Sequence, residues 1–327
     1  MRQFLMGNEV LARAAFDAGA KIMFGYPITP TTEVLATWAK FCHEDKSLQY
    51  LQTEDEMAAG FGVCGSVLAG VPAFTATAGP GTILMQDPLS MAEAMRLPMV
   101  CFIGQRGGPS TGTVIYSQQE LTMTAFGGNG EGYRLVYAPC GLTELYQLTL
   151  KAFAHAWQFR FPTFILYDGY LGKMKGEVEI RNTQYVIRNT QPILTGNMRN
   201  CYNLEEEAYA LNMHHAADWQ KMASQVAAFE LSGPKSPTLV VAAGSVAAAA
   251  KEAGVYLFRP ITIWPFPEKD LRHIAQEVQK IIILESSLGQ LARLVKSVLS
   301  GEKTKMETVG KPALGFTPEE VAKIYAA

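Results

Sequence analysis

Short runs of β-favouring residues alternate with longer stretches of helical periodicity, and that alternation constrains the fold more than any single motif. The runs KIMFGY, LQYLQT, VPAFTAT, MVCFIGQ, YRLVYAP and PTFILYD are separated by helical spacing near residues 31–41, 55–69, 80–96, 115–126 and 142–160. Strand, helix and next strand make a right-handed crossover, so this order predicts a largely parallel sheet covered on both faces. Residues 1–185 therefore read as one α/β domain. Beyond them the pattern fails: RNTQYVIRNTQPILTGNMRNCYN is polar and irregular, and LEEEAYALNMHHAADWQKMASQVAAFE reads as one amphipathic helix. Residues 186–233 are thus expected to form a connecting arm. From 234 to 327 a shorter series follows, with PTLVVAAG, VYLFRP and KIIILES as strands and helices at 245–253, 268–278 and 289–299, which predicts a second, smaller α/β domain packed on the first.

With 327 residues, 48% hydrophobic and 18% charged, the chain can bury a large core in two domains. A net charge of −2 and a pI near 6.2 provide no basic surface for nucleic acid. The opening MRQFLMGNEVLARAAFDAGAK reads as a first helix. Asn8, Glu9, Arg13 and Asp17 interrupt the apolar core that a signal peptide requires, so a cytoplasmic protein is expected. No window approaches about 18 uncharged apolar residues, which predicts no membrane span. The cysteines, Cys42, Cys64, Cys101, Cys140 and Cys201, are scattered and never form a Cys-x-x-Cys pair, so no cluster is expected on this chain. None of the histidines is assigned to a metal.

Four motifs carry chemical information. Glu56 opens an Ala/Gly-rich apolar helix in YLQTEDEMAAGFGVCGSVLAG, an odd place for a purely structural carboxylate. A ring nitrogen of an aminopyrimidine cofactor needs such an acid. Equally, Glu54, Asp55 and Glu56 suit a helix dipole as first-turn acids, with Thr53 or Asp55 as cap. In GYPITPTTE, Pro27 and Pro30 stiffen the backbone around Thr29, which can then present its hydroxyl to an anionic group. In TATAGPGT, Gly79 and Gly81 permit close backbone approach while Pro80 limits flexibility. Both loops also serve as ordinary strand-to-helix turns. In GQRGGPSTG, Arg106 lies just past an apolar strand among glycines, where its planar fork can reach a carboxylate or be satisfied by loop carbonyls.

Taken in order, these four motifs resemble the α subunit of the 2-oxoacid:ferredoxin oxidoreductases. The resemblance continues through GGNGEGYRLVYAP, ELYQLTLKAFAHAWQFRFPTFILYDG, FRPITIWPFP and IIILESSLGQLARLV, and covers most of the chain apart from the arm. It implies a pyrimidine-type thiamine diphosphate (ThDP) domain followed by a domain like the C-terminal one of transketolase. By position, Glu56 would contact the aminopyrimidine, with Gly65 standing where such enzymes place a glycine and Glu54 as the backup. Thr29 and Arg106 would hold the 2-oxoacid carboxylate, and Gly79, Pro80 and Gly81 would line the cofactor pocket.

The implied reaction is oxidative decarboxylation of a 2-oxoacid with coenzyme A to acyl-CoA, CO2 and reduced ferredoxin. No GDG…N motif for magnesium and diphosphate occurs here, so Mg2+ and [4Fe-4S] clusters are expected on a β subunit, with γ and δ subunits as further candidate partners. RGGPSTG and GGNGEGYR look more like the 2-oxoglutarate and branched-chain branches than the pyruvate branch. Asn129 stands where many relatives have histidine. Two alternatives are a non-catalytic scaffold paralogue and a ThDP decarboxylase or synthase without a ferredoxin step.

Overall fold

The structure, a computed structural model, describes residues 2–180, 187, 190–193 and 200–327. Much of the irregular first half of the expected arm lies outside the described residues. In chain order the strands are β1 Arg2–Met6, β2 Ile22–Gly25, β3 Gln49–Gln52, β4 Ala73–Thr77, β5 Val100–Gln105, β6 Leu135–Tyr137 and β7 Thr163–Asp168. They continue as β8 Lys175–Glu179, β9 Phe229–Ser232, β10 Thr238–Val241, β11 Leu257–Pro260, β12 Thr262–Trp264, β13 Lys280–Glu285 and β14 Lys305–Gly310.

Seven strands form the main sheet in the order β12-β6-β7-β5-β4-β2-β3, and every pairing in it is parallel except that of β12 with β6. The side chains of β5 show why this sheet needs two cover layers. Val100 and Phe102 pack on one side with helices Gly7–Ala18, Thr32–Glu44 and Leu142–Phe159, while Cys101 and Ile103 pack on the other with helices Glu56–Leu68 and Gln86–Ala94. Successive residues of a strand point to opposite faces, so an all-apolar strand feeds two cores at once.

The second sheet runs β14-β13-β10-β11-β9, parallel except for its edge strand β9. Its Leu239, Val241, Ile281 and Ile283 join the same apolar cluster as Cys101 and Ile103, so the two sheets share one core. We propose the division at 185 and 233 with two exchanges across it: β9 lies before residue 234 yet belongs to the second sheet, and β12 lies after it yet closes the edge of the first.

Several element boundaries depart from the sequence reading. The chain opens with β1, antiparallel to β8, and its first helix starts only at Gly7. The expected helix at 80–96 is broken at Met85 into Pro80–Leu84 and Gln86–Ala94. The expected helix at 115–126 is reduced to Leu121–Phe126, because Tyr116 to Glu120 are held by long-range partners instead. Ser117 Oγ and Gln118 N both donate to the Ser286 carbonyl at the end of β13, at 2.8 and 2.9 Å. Gln118 Nε2 donates to Ala243 O beyond β10 at 2.9 Å. Such distributed polar pairing outweighs a weak local helix preference.

Candidate active site

β2, β3, β4 and β5 are neighbours in the sheet and parallel, so the loops that leave their carboxyl ends meet at one edge. Thr29 follows β2, Glu56 follows β3, the Gly79–Gly81 turn follows β4 and Arg106 follows β5. Open parallel sheets bind ligands at this edge.

Asp55 caps the helix Glu56–Leu68, its carboxylate accepting from Ala58 N at 2.7 Å. The capping duty therefore falls to Asp55 and leaves the next carboxylate available. Glu56 is 4% exposed, whereas Glu54 is exposed. Burial pushes the Glu56 carboxyl above its ordinary range, and the positive charge of Arg106 opposes that rise.

The glycines of the turn lie directly beneath the two charged groups. A Cβ built on Gly81 would sit 2.6 Å from Glu56 Cδ and would also overlap Thr77 Oγ1. The Thr77 hydroxyl is thus a neighbour of the Glu56 carboxylate. A Cβ on Gly79, whose φ is 55°, would sit 3.1 Å from Arg106 Cζ and overlap Nε. The sequence reading gave these glycines to ligand approach. In the structure they also make room for Glu56 and Arg106.

Arg106 is 5% exposed. Its Nη1 donates to the Thr29 carbonyl at 2.8 Å, while its buried Nε has no hydrogen-bond partner among the described residues. The contact with Thr29 runs through the main chain, and Thr29 itself is exposed. The hydroxyls of Thr75 and Thr77 on β4 and the side-chain oxygen of Gln105 at the end of β5 are likewise buried without partners among the described residues. Buried polar groups are normally satisfied, so three such atoms, Arg106 Nε, Thr77 Oγ1 and Gln105 Oε1, single out this edge of the sheet.

One residue of the site was missed in the sequence. Glu120, read as part of a helix, is buried and accepts from Gly79 N at 2.8 Å, Thr82 Oγ1 at 2.5 Å and Arg106 N at 2.9 Å. Burial raises its carboxyl to about 7 despite these donors. No local signal marks a glutamate whose partners are 14 to 41 residues away. Asn129 lies elsewhere, in the loop that enters β6 at its opposite end, where it lines an open pocket of about 310 Å3 with Asp87, Tyr133 and His215. Among the described residues no group of histidine, cysteine, aspartate or glutamate is arranged to hold a metal ion.

Residues 13–233 match the family described as pyruvate flavodoxin/ferredoxin oxidoreductase, thiamine diphosphate-binding, and residues 237–314 match the pyruvate:ferredoxin oxidoreductase core domain II. The chain belongs to the 2-oxoacid:ferredoxin oxidoreductases. Among these oxidoreductases, the 2-oxoglutarate synthase subunit KorA of Archaeoglobus fulgidus is 30% identical over 319 residues, covering 90% of this chain and 91% of the relative. The ketoisovalerate oxidoreductase subunit VorB of Methanothermobacter marburgensis is also 30% identical, over 316 residues, covering 90% and 89%.

A solved 2-oxoglutarate:ferredoxin oxidoreductase from Magnetococcus marinus matches with a TM-score of 0.86 at 22% identity, a likeness of fold that covers 99% of this chain and 64% of that longer chain. The chain is thus an α-type subunit of an oxidoreductase whose relatives are themselves named as subunits. No helix among the described residues is long and apolar enough to cross a membrane.

Proposed function

We propose that this α-type subunit supplies the pyrimidine-facing half of a ThDP site and the carboxylate clamp for a 2-oxoacid, with oxidative decarboxylation of 2-oxoglutarate or a branched-chain 2-oxoacid, coupled to coenzyme A and ferredoxin, as the reaction. The observation that carries the reading is the convergence of a buried, upward-shifted carboxylate, Glu56, with a buried arginine, Arg106, on the two glycines of one turn. ThDP, when bound, supplies the carbanion chemistry and the electron sink that no side chain of this protein offers.

Glu56 would hold a proton at the ring nitrogen. Its elevated proton affinity suits that exchange, since a carboxylate with an ordinary low affinity would give it up to water. Gly81 keeps the backbone clear of that carboxylate, and Pro80 starts a helix whose first turn fixes Gly81 and Thr82. Arg106, braced by the Thr29 carbonyl, would turn its guanidinium to the substrate carboxylate, and a charge-assisted hydrogen bond of that kind fixes orientation as well as charge. The exposed Thr29 hydroxyl is free to join it.

The neighbouring surface fits a partner subunit. β3 is the edge of the seven-stranded sheet, and all four of its residues are exposed, including Tyr50 and Leu51. Met57 and Phe61 on the Glu56 helix, with Ile83 and Leu84 beyond the Gly79–Gly81 turn, add further exposed apolar side chains near Glu56. An open, apolar strand edge beside a functional carboxylate is a surface to be covered by another chain. That chain, a β subunit, would bring Mg2+, diphosphate contacts and [4Fe-4S] clusters. Further γ or δ subunits and a cytoplasmic location complete the proposal.

A scaffold paralogue has no use for both a buried proton acceptor and a carboxylate clamp. A decarboxylase or synthase would lack the clusters. Reduction of a viologen dye by the copurified complex, assayed with a panel of 2-oxoacids plus coenzyme A, tests the reading. Dye reduction that depends on one of these 2-oxoacids and on coenzyme A is the expected result. ThDP-dependent CO2 release without dye reduction, or no turnover by a complex that holds ThDP and clusters, would overturn it.

A further inference from the structure

The carboxylate of Glu120 joins the two halves of the site. One of its oxygens accepts from Gly79 N and from Thr82 Oγ1, on either side of the turn that carries Gly81 and faces Glu56. The other accepts from Arg106 N, at the start of the substrate-facing loop. No other described side chain bonds to both segments. Residues before Glu120 are in turn anchored on the second domain through Ser117 and Gln118, and Gln290 Nε2 donates to Gln119 O at 2.7 Å. Glu120 thus stands on a fixed base and sets the spacing between the Glu56 turn and Arg106.

The geometry points to Glu120 as a positioning residue that acts on the 2-oxoacid through Arg106. It touches no substrate atom itself. Its three donors are two backbone amides and one hydroxyl, those of Arg106 and Thr82 buried and that of Gly79 half-buried, and a carboxylate is the side chain that can accept from all three at once. Its amide analogue presents one acceptor oxygen and one NH2. In Glu120→Gln, therefore, an NH2 must face either the Arg106 amide or the Gly79 amide, and the clamp loses its register. The inference rests on Arg106 being the substrate clamp, and the test separates the failure of that premise from the failure of the inference.

The experiment is a double-mutant cycle in the assembled complex with its partner subunits, using Glu120→Gln, Arg106→Ala and the pair. Two quantities are read: KM for the preferred 2-oxoacid, and the calorimetric affinity of the matching 2-hydroxy acid, which binds without turnover. Glu120→Gln alone is expected to raise KM and weaken the analogue about tenfold, as loss of one buried hydrogen bond does. Placed on Arg106→Ala it is expected to add nothing. Full additivity, or an unchanged KM in Glu120→Gln, overturns the positioning role while leaving the clamp intact. An unchanged KM in Arg106→Ala overturns the clamp and the inference together. Should Glu120→Gln fail to assemble, Thr82→Val removes one donor and lets the carboxylate swing. It is expected to raise KM about threefold, and no rise again overturns the role.

Discussion

The Cα of Gly81 lies so close to the Glu56 carboxyl that a methyl group added there would fall 2.6 Å from Glu56 Cδ. The turn after β4 and the helix after β3 therefore share one small volume, and the absence of a side chain at residue 81 lets the carboxylate occupy it. Gly81→Ala should displace Glu56, lower kcat at least tenfold and leave KM for the 2-oxoacid nearly unchanged. Overpacking of this kind costs about 1–3 kcal/mol, so the fold should survive. Steady-state kinetics with a thermal melt checks both halves of the expectation.

Gly79→Ala should behave differently. Its added carbon meets Arg106 Nε and Cζ, and its φ of 55° disfavours any side chain. The expected outcome is a raised KM for the 2-oxoacid and a weaker fold. Equal kinetic profiles for Gly79→Ala and Gly81→Ala would show that the two glycines do not serve separate groups.

Glu56→Gln preserves shape and removes the exchangeable carboxyl proton. Turnover should fall by about two to four orders of magnitude, the range that general acid–base groups contribute, with subunit assembly intact. Activity within a few-fold of the wild type, measured by dye reduction, would exclude Glu56 from proton transfer.

Glu120 gives stability a pH signature. Burial raises its carboxyl from 4.5 to about 7, so its protonated form favours the folded state. That contribution is complete below the unfolded value and is lost as pH rises through the folded one. Between pH 4.5 and about 7 the wild type should lose roughly 3 kcal/mol relative to Glu120→Gln, whose amide does not titrate. Parallel denaturant titrations across that range would show the gap closing or failing to close.

Leu51→Asp, on the exposed edge strand, should weaken association with the partner subunit and leave this chain folded, since Leu51 is 53% exposed. Size-exclusion chromatography of the co-expressed complex reads that directly.

The parallel sheet was legible because each of its main strands carries its own apolar run, and the loops were legible because Gly, Pro and Arg mark chain behaviour within a few residues. β12 was not. Three residues, Thr262 to Trp264, carry no periodicity, and their pairing with β6 is fixed by contacts more than 120 residues away. Glu120 was hidden for the same reason: its neighbours in sequence spell a helix, while its carboxylate answers to Gly79 and Arg106. The roles of Gly79 and Gly81 were half visible, since a sequence shows that a side chain is absent but not which charged group fills the space.

The crossing of β12 also makes the two halves inseparable. A fragment ending near residue 233 would uncover the β6 edge and strip the shared core of Ile263, Ile281 and Ile283. An isolated N-terminal piece should therefore be sticky and short-lived, however self-contained its sheet looks on paper. Gene architecture would then favour keeping both halves on one polypeptide, because splitting them there would cut through a common hydrophobic floor.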